Sequence, residues 1–180
     1  YGFAWEAGVG TTLTPERTPF TRLTGRWLTL MPIGKLDEET QRRSRLQLRA
    51  WGGAITAKKD ADLPMTLMFL AGGDNSIRGY GYQSIGAKTD NGKVIGGRYL
   101  AAGSVEWQRP ISIRGNTQDF EQAVFIDAGA VGDDANKLYA RVGVGTGIRW
   151  RSPVGPLQAD IAYGLQEQQL RLHLRLGFTF

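Results

Sequence analysis

Apolar side chains return along this chain at a spacing of two. In LRLHLRLGFTF, Leu170, Leu172, Leu174, Leu176, Phe178 and Phe180 fall on one face, and Arg171, His173, Arg175, Gly177 and Thr179 on the other. ARVGVGTGIRWR repeats the logic, with Val142, Val144, Thr146, Ile148 and Trp150 opposite Arg141, Gly143, Gly145, Gly147, Arg149 and Arg151. Helical spacing is hard to find anywhere. Nine strands are predicted, at 3–10, 20–32, 44–57, 65–71, 97–110, 122–131, 140–152, 156–166 and 169–180. Tight turns join some of them, at SPVGP (152–156) and EQQ (167–169), and longer polar loops join others, at 33–43, 72–96 and 132–138.

Alternation alone leaves two architectures open. In a sandwich the charged face meets solvent, whereas in a membrane barrel it lines a lumen and the apolar face meets lipid. Strand lengths near the 9–11 residues that span a bilayer, and the contrast between short turns and long loops, point to the barrel. Trp27, Trp51, Trp107, Trp150 and Phe180 near strand ends fit interfacial girdles. The expected fold is therefore an all-β, antiparallel transmembrane β-barrel. Nine strands is an odd count where single-chain barrels are even. Either one strand is spurious, or the chain is a section of a larger barrel, or several chains close the sheet. YGFAWEAGVG begins at once in a strand-like pattern, which favours the section.

Composition narrows the chemistry. The chain has 180 residues, no cysteine and a single histidine, so no thiolate metal site is available and zinc chemistry has little to work with. The net charge of +5 is spread along the chain rather than gathered into a basic block, so no nucleic-acid partner is expected. No run approaches the 18–20 apolar residues of a membrane helix, which leaves barrel strands untouched.

The stretch GGDNSIRGYGYQSIG (72–86) surrounds Arg78 with five glycines. It lacks the Gly-Lys-Ser/Thr ending of a phosphate loop, and no helix follows for a phosphate to cap. Strand parity offers the arginine other partners. In GRYLAAGSVEWQRP, Glu106 shares a face with Leu100, Ala102, Ser104 and Gln108. In EQAVFIDAGAV, Phe125, Asp127 and Gly129 lie opposite Val124, Ile126, Ala128 and Ala130. Two acids would thus line the interior on consecutive strands. A desolvated carboxylate needs a partner, and one guanidinium fork could engage both. The inward glycines Gly143, Gly145 and Gly147 would clear room for the loop tip. The residues equally permit Arg78 as a solvated loop residue and Asp127 as a turn or lumen carboxylate.

IRGY in a long loop, FIDAG, the glycine-rich GVGTGIRW, the SPVGPL hairpin and a terminal alternating strand ending in Phe occur here in this order. Together they resemble the C-terminal part of the BamA and TamA superfamily of outer-membrane assembly and translocation barrels, the bacterial surface antigen family. FLAGGDNSIRGYGYQSIG with GRYLAAGSVEWQRPI is most similar to the TamA branch. The resemblance runs from about Thr18 to Phe180 and implies a 16-stranded parent barrel, of which the chain would be a C-terminal section of about nine strands. It also implies preceding POTRA domains, which this sequence does not contain, and a sixth loop, about 72–96, that enters the lumen. By the resemblance Arg78, Gly79 and Tyr80 form the loop tip, Phe125, Asp127 and Gly129 belong to the receiving strand, and Glu106 is a second acid. Residues 170–180, with Leu170, Leu172, Leu174, Leu176, Phe178 and Phe180, would be the edge of a lateral seam that a client strand could extend.

The function implied is insertion or translocation of outer-membrane proteins in the bacterial outer membrane, without a cofactor, a metal or an enzymatic step. Its partners would be outer-membrane lipid and unfolded outer-membrane or secreted clients. A second copy or a missing half of the barrel would close the sheet. Two alternatives stand beside it: a translocation barrel of a patatin-like or two-partner secretion protein, and a passive small or dimeric barrel scaffold. No Gly-x-Ser-x-Gly elbow occurs. Glu106 and Asp160 could pair as carboxylates without a nucleophile to serve, and His173 reads as a lumen residue.

Overall fold

The computed structural model describes residues 2–12, 17–58, 61–89 and 91–177. Eight long strands, each antiparallel to the next, build one sheet in chain order. They are β1 (Gly2–Thr11), β2 (Pro19–Leu36), β3 (Arg43–Ala57), β6 (Tyr99–Ile113), β7 (Asn116–Gly132), β8 (Arg141–Ser152), β9 (Gly155–Gly164) and β10 (Gln169–Leu176). A small ribbon, β4 (Ala87–Lys88) with β5 (Val94–Ile95), sits inside the long connection between β3 and β6. Among the described residues no helix is long and apolar enough to cross a membrane, which says nothing about crossing by strands.

The alternation read from the sequence sorts the two faces. Val105, Trp107, Val124, Ile126, Leu170, Leu172 and Leu174 are exposed on the outer face, while Glu106, Phe125, Asp127, Asp160 and His173 are buried on the inner one. Phe120 and Trp150, opposite each other on β7 and β8, stack with ring centroids 5.8 Å apart on the outer side. The longest connection and the two shortest fall at opposite ends of the sheet, as in a membrane barrel. Two residues join β6 to β7 and two join β8 to β9 at one end, whereas the β3–β6 connection, at the other end, runs from 58 to 98.

That connection corrects the strand count. The apolar run 65–71, expected as a ninth strand, forms turns and makes only isolated bridges, Phe69 to Gly97 and Ala71 to Ile85. Its apolar side chains are used inside the loop. Leu63, Phe69, Ala71, Ile77, Tyr80 and Ile85 cluster with Ile55 of β3 and Val131 of β7, so the loop carries its own core into the concave face. The inward loop is consequently longer than the expected 72–96. Trp51 departs from the expected girdle too. It pairs with Ala102 on the inner face, and the Arg49 guanidinium lies 5.6 Å from its ring. Phe178 and Phe180 lie outside the described residues.

The sheet curls around this loop. Arg22 of β2 donates to the Leu67 carbonyl at 3.0 Å and covers the Phe69 ring, while residues 78–80 touch β6 to β10. Among the described residues β1 pairs only with β2, and β10 only with β9.

Candidate functional site

Arg78 is the centre of the concave face, with 1% of its surface exposed. Its Nε donates to Asp127 Oδ2 at 2.7 Å and its Nη2 to Asp127 Oδ1 at 2.9 Å, a two-pronged grip on one carboxylate. The backbone N–H of Arg78 donates to the same Oδ2 at 3.1 Å. Nη1 reaches Glu106 at 2.7 Å and Asp160 at 3.0 Å. The guanidinium also lies 3.3 Å from the centroid of the Phe125 ring. Lysine, with one point charge and no planar fork, could not make this set.

A second arginine, from the wall itself, completes the network. Arg149 on β8 donates to both oxygens of Glu106, at 3.1 and 2.9 Å, and to both oxygens of Asp160, one of them at 3.2 Å. Gln108 donates to Glu106 at 2.8 Å. Glu106 and Asp160 therefore do not face each other as a bare carboxylate pair, since two guanidiniums hold both. In charge the network contains two cations and three anions, all nearly dry. Each unpaired member would be costly in that environment, so each arginine is held by more than one acid.

Backbone contact seats the tip. Gly79 adopts φ +94°, and a Cβ there would come within 2.8 Å of the Gly164 nitrogen on β9. Gly143 on β8 lies directly beneath the Arg78 carbonyl, and a Cβ would collide with that oxygen. The expectation that three inward glycines clear the loop tip therefore holds for Gly143 alone. A Cβ at Gly145 would meet the Phe125 ring, and one at Gly147 the Asp160 carboxylate, so these two make room for the receiving side chains instead. Gly129 admits the Ile77 side chain of the loop. Tyr80 is 1% exposed, its hydroxyl 3.0 Å from the Val142 carbonyl and in contact with the Gln166 side chain, so it is pinned to β8 and the β9–β10 turn.

The structure thus brings Arg78, Gly79, Tyr80, Glu106, Phe125, Asp127 and Gly129 into one contiguous site. Leu170, Leu172, Leu174 and Leu176 lie apart from it, exposed on the outer face of β10. Two members of the network were not assigned to it from the sequence, Asp160 and Arg149. The signal for Asp160 was available, because LQADIAY alternates and the register sets Asp160 beside Gly147 on the inner face. His173, on the inner face of β10, is the other neighbour: its Nε2 accepts a bond from the Gly79 N–H at 2.9 Å.

Comparison with known proteins bears on the family and the fold. The Omp85 superfamily domain matches residues 2–180. Outer envelope protein 80, chloroplastic, of Arabidopsis thaliana is 30% identical over 97% of this chain and 22% of its own length. The outer membrane protein assembly factor BamA of Nitratidesulfovibrio vulgaris is 30% identical over 66% of the chain and 15% of its own length. The chain spans less than a quarter of either relative. A crystal structure of BamA from Haemophilus ducreyi lacking POTRA domains 1–3 superposes with a TM-score of 0.68 over 97% of the chain and 37% of that structure; at 20% identity this is a likeness of fold.

Proposed function

This chain belongs to the Omp85 superfamily and is an outer-membrane β-barrel protein, and from that premise we propose that it serves the assembly or translocation of outer-membrane proteins, in the manner of the TamA branch. The relative from Nitratidesulfovibrio vulgaris is named an assembly factor, and the proposal extends that role to this chain. In this reading loop 58–98 is a plug, and the bonds of Arg78 to Asp127, Glu106 and Asp160 hold it against the wall. That buried convergence is the observation that carries the proposal.

A buried ion network suits a plug better than an apolar contact would. Apolar packing tolerates sliding, whereas a fork bound to fixed carboxylates accepts one register. The second working part is β10. Its outer side chains are leucines and, in this reading, a client strand extends the sheet along the edge of β10 opposite β9. The chemistry is strand pairing and burial in lipid, with no covalent step and no cofactor. The partners are outer-membrane lipid and unfolded clients.

The test uses the protein in lipid vesicles with an unfolded outer-membrane protein as client, scoring client folding by its heat-modifiable mobility on gels. Arg78→Ala and Asp127→Ala should slow client folding and speed chymotrypsin cleavage after Tyr80. Wild-type client folding together with an unchanged cleavage rate in both variants would overturn the proposal.

A further inference from the structure

His173 is the only histidine in the chain, and both of its ring nitrogens are engaged. It is buried on the inner face of β10, with 7% of its surface exposed. Nε2 lies 2.9 Å from the backbone nitrogen of Gly79, and Nδ1 contacts the Asp74 carboxylate. An amide N–H can only donate, so Nε2 must be the bare nitrogen and Nδ1 must carry the proton it shares with Asp74. The bonding pattern therefore selects one neutral tautomer. Gly79 directly follows the arginine at the centre of the ion network, so this imidazole ties the terminal strand to the loop tip.

We propose that His173 is a positioning residue which couples β10 to the RGY tip, and that adding a proton at Nε2 releases the coupling. A protonated ring carries donors on both nitrogens and presents N–H to N–H at Gly79, so the bond is lost. The inference rests on reading the loop as a docked plug. It adds to that reading the route by which a change in β10, the seam strand, reaches the plug.

The charged groups facing the ring come from every element around it. Asp74 approaches from the loop, and Arg171 and Arg175 share the inner face of β10. Asp160 lies directly across on β9, already held by Arg78 and Arg149, and Arg26 of β2 faces the same cavity. A cavity of about 840 Å³, lined among others by Arg26, Asp74, Tyr82, Arg171 and His173, borders the ring.

Two measurements on the intact protein in nanodiscs test this. With ¹⁵N-histidine, the neutral-pH spectrum should show a protonated Nδ1 and a bare Nε2. Chymotrypsin cleavage after Tyr80 is then followed from pH 8 to pH 5.5 in wild type and in His173→Gln. The glutamine amide can accept from Gly79 but does not titrate. The ratio of wild-type to variant cleavage rates should rise about three- to tenfold on acidification, the worth of one buried hydrogen bond. A protonated Nε2 at neutral pH, or a ratio flat with pH, would overturn the coupling. Arg78→Ala run in parallel separates the two ideas: if it too leaves cleavage unchanged, the plug reading fails, and if it accelerates cleavage while the ratio stays flat, only the role of His173 fails.

Discussion

Replacing Arg78 and replacing Asp127 should differ in cost, although they are partners. The ion network holds two guanidiniums and three carboxylates. Arg78→Met strips Asp127 of its hydrogen-bonded arginine and leaves Arg149 alone between Glu106 and Asp160, and an uncompensated buried charge costs about 3–5 kcal/mol. Asp127→Asn leaves two guanidiniums with two carboxylates, so its cost is confined to the charge-assisted bonds it made, about 1.5–3 kcal/mol. The double variant restores the original imbalance of one negative charge and should cost less than the sum of the singles by about 1–3 kcal/mol. Amide exchange of Gly79, whose N–H is bonded to His173 only when the tip is seated, reports the docking equilibrium. At about 1.4 kcal/mol per tenfold, Arg78→Met should raise the exchange rate on the order of 10²–10⁴-fold and Asp127→Asn about tenfold to a hundredfold. Equal effects of the two singles, or strict additivity in the double, would show that charge balance does not govern docking.

Two further predictions test the seat and the wall. Gly143→Ala should displace the loop tip, because the new methyl collides with the Arg78 carbonyl and neither backbone can swing aside; an overpacking cost of about 1–3 kcal/mol is expected, read as faster Gly79 exchange. Gly8→Ala, where a Cβ meets nothing within 4 Å, is the control that should leave Gly79 exchange unchanged. Val124→Arg, exposed on the outer face near the middle of β7, should lower stability in vesicles by up to about 2–4 kcal/mol by urea titration, whereas Gln47→Arg on the inner face should cost far less. Equal costs would contradict a lipid-facing outer wall.

The wall was legible in the sequence because a strand's side chains alternate whatever covers them. Parity alone put Glu106, Asp127 and His173 on the inner face, and the structure has them there. The same rule fails for MTLMFLA (65–71). An apolar run states that its side chains need cover, not which element supplies it, and here the cover is the loop's own cluster of Phe69, Ile77 and Tyr80 rather than a neighbouring strand. Trp51 was misplaced for a related reason. Tryptophan suits an interface and a packed lumen alike, and only the register with Ala102 decides between them. Asp160 is within reach of the parity rule, which sets it on the inner face, but parity does not tell that two arginines converge on it. The bond of His173 to Gly79 was beyond any local rule, since it depends on where a connection of some forty residues ends.

The placement of the glycines bears on how the loop tip is held. Gly79, Gly143 and Gly164 bring loop backbone against strand backbone, so the tip sits too close to the wall for water to enter between them. At that distance the carboxylates gain the full strength of a dry ion pair, but the same dryness makes the interaction fall sharply once the tip lifts and water enters. An apolar contact weakens gradually as its area shrinks. A network of this kind instead has two states, seated and solvated, with little between them. In the plug reading proposed above, a gate held shut until a strand of its own wall moves would need that behaviour, and β10, bonded to the tip through His173, is placed to supply the displacement.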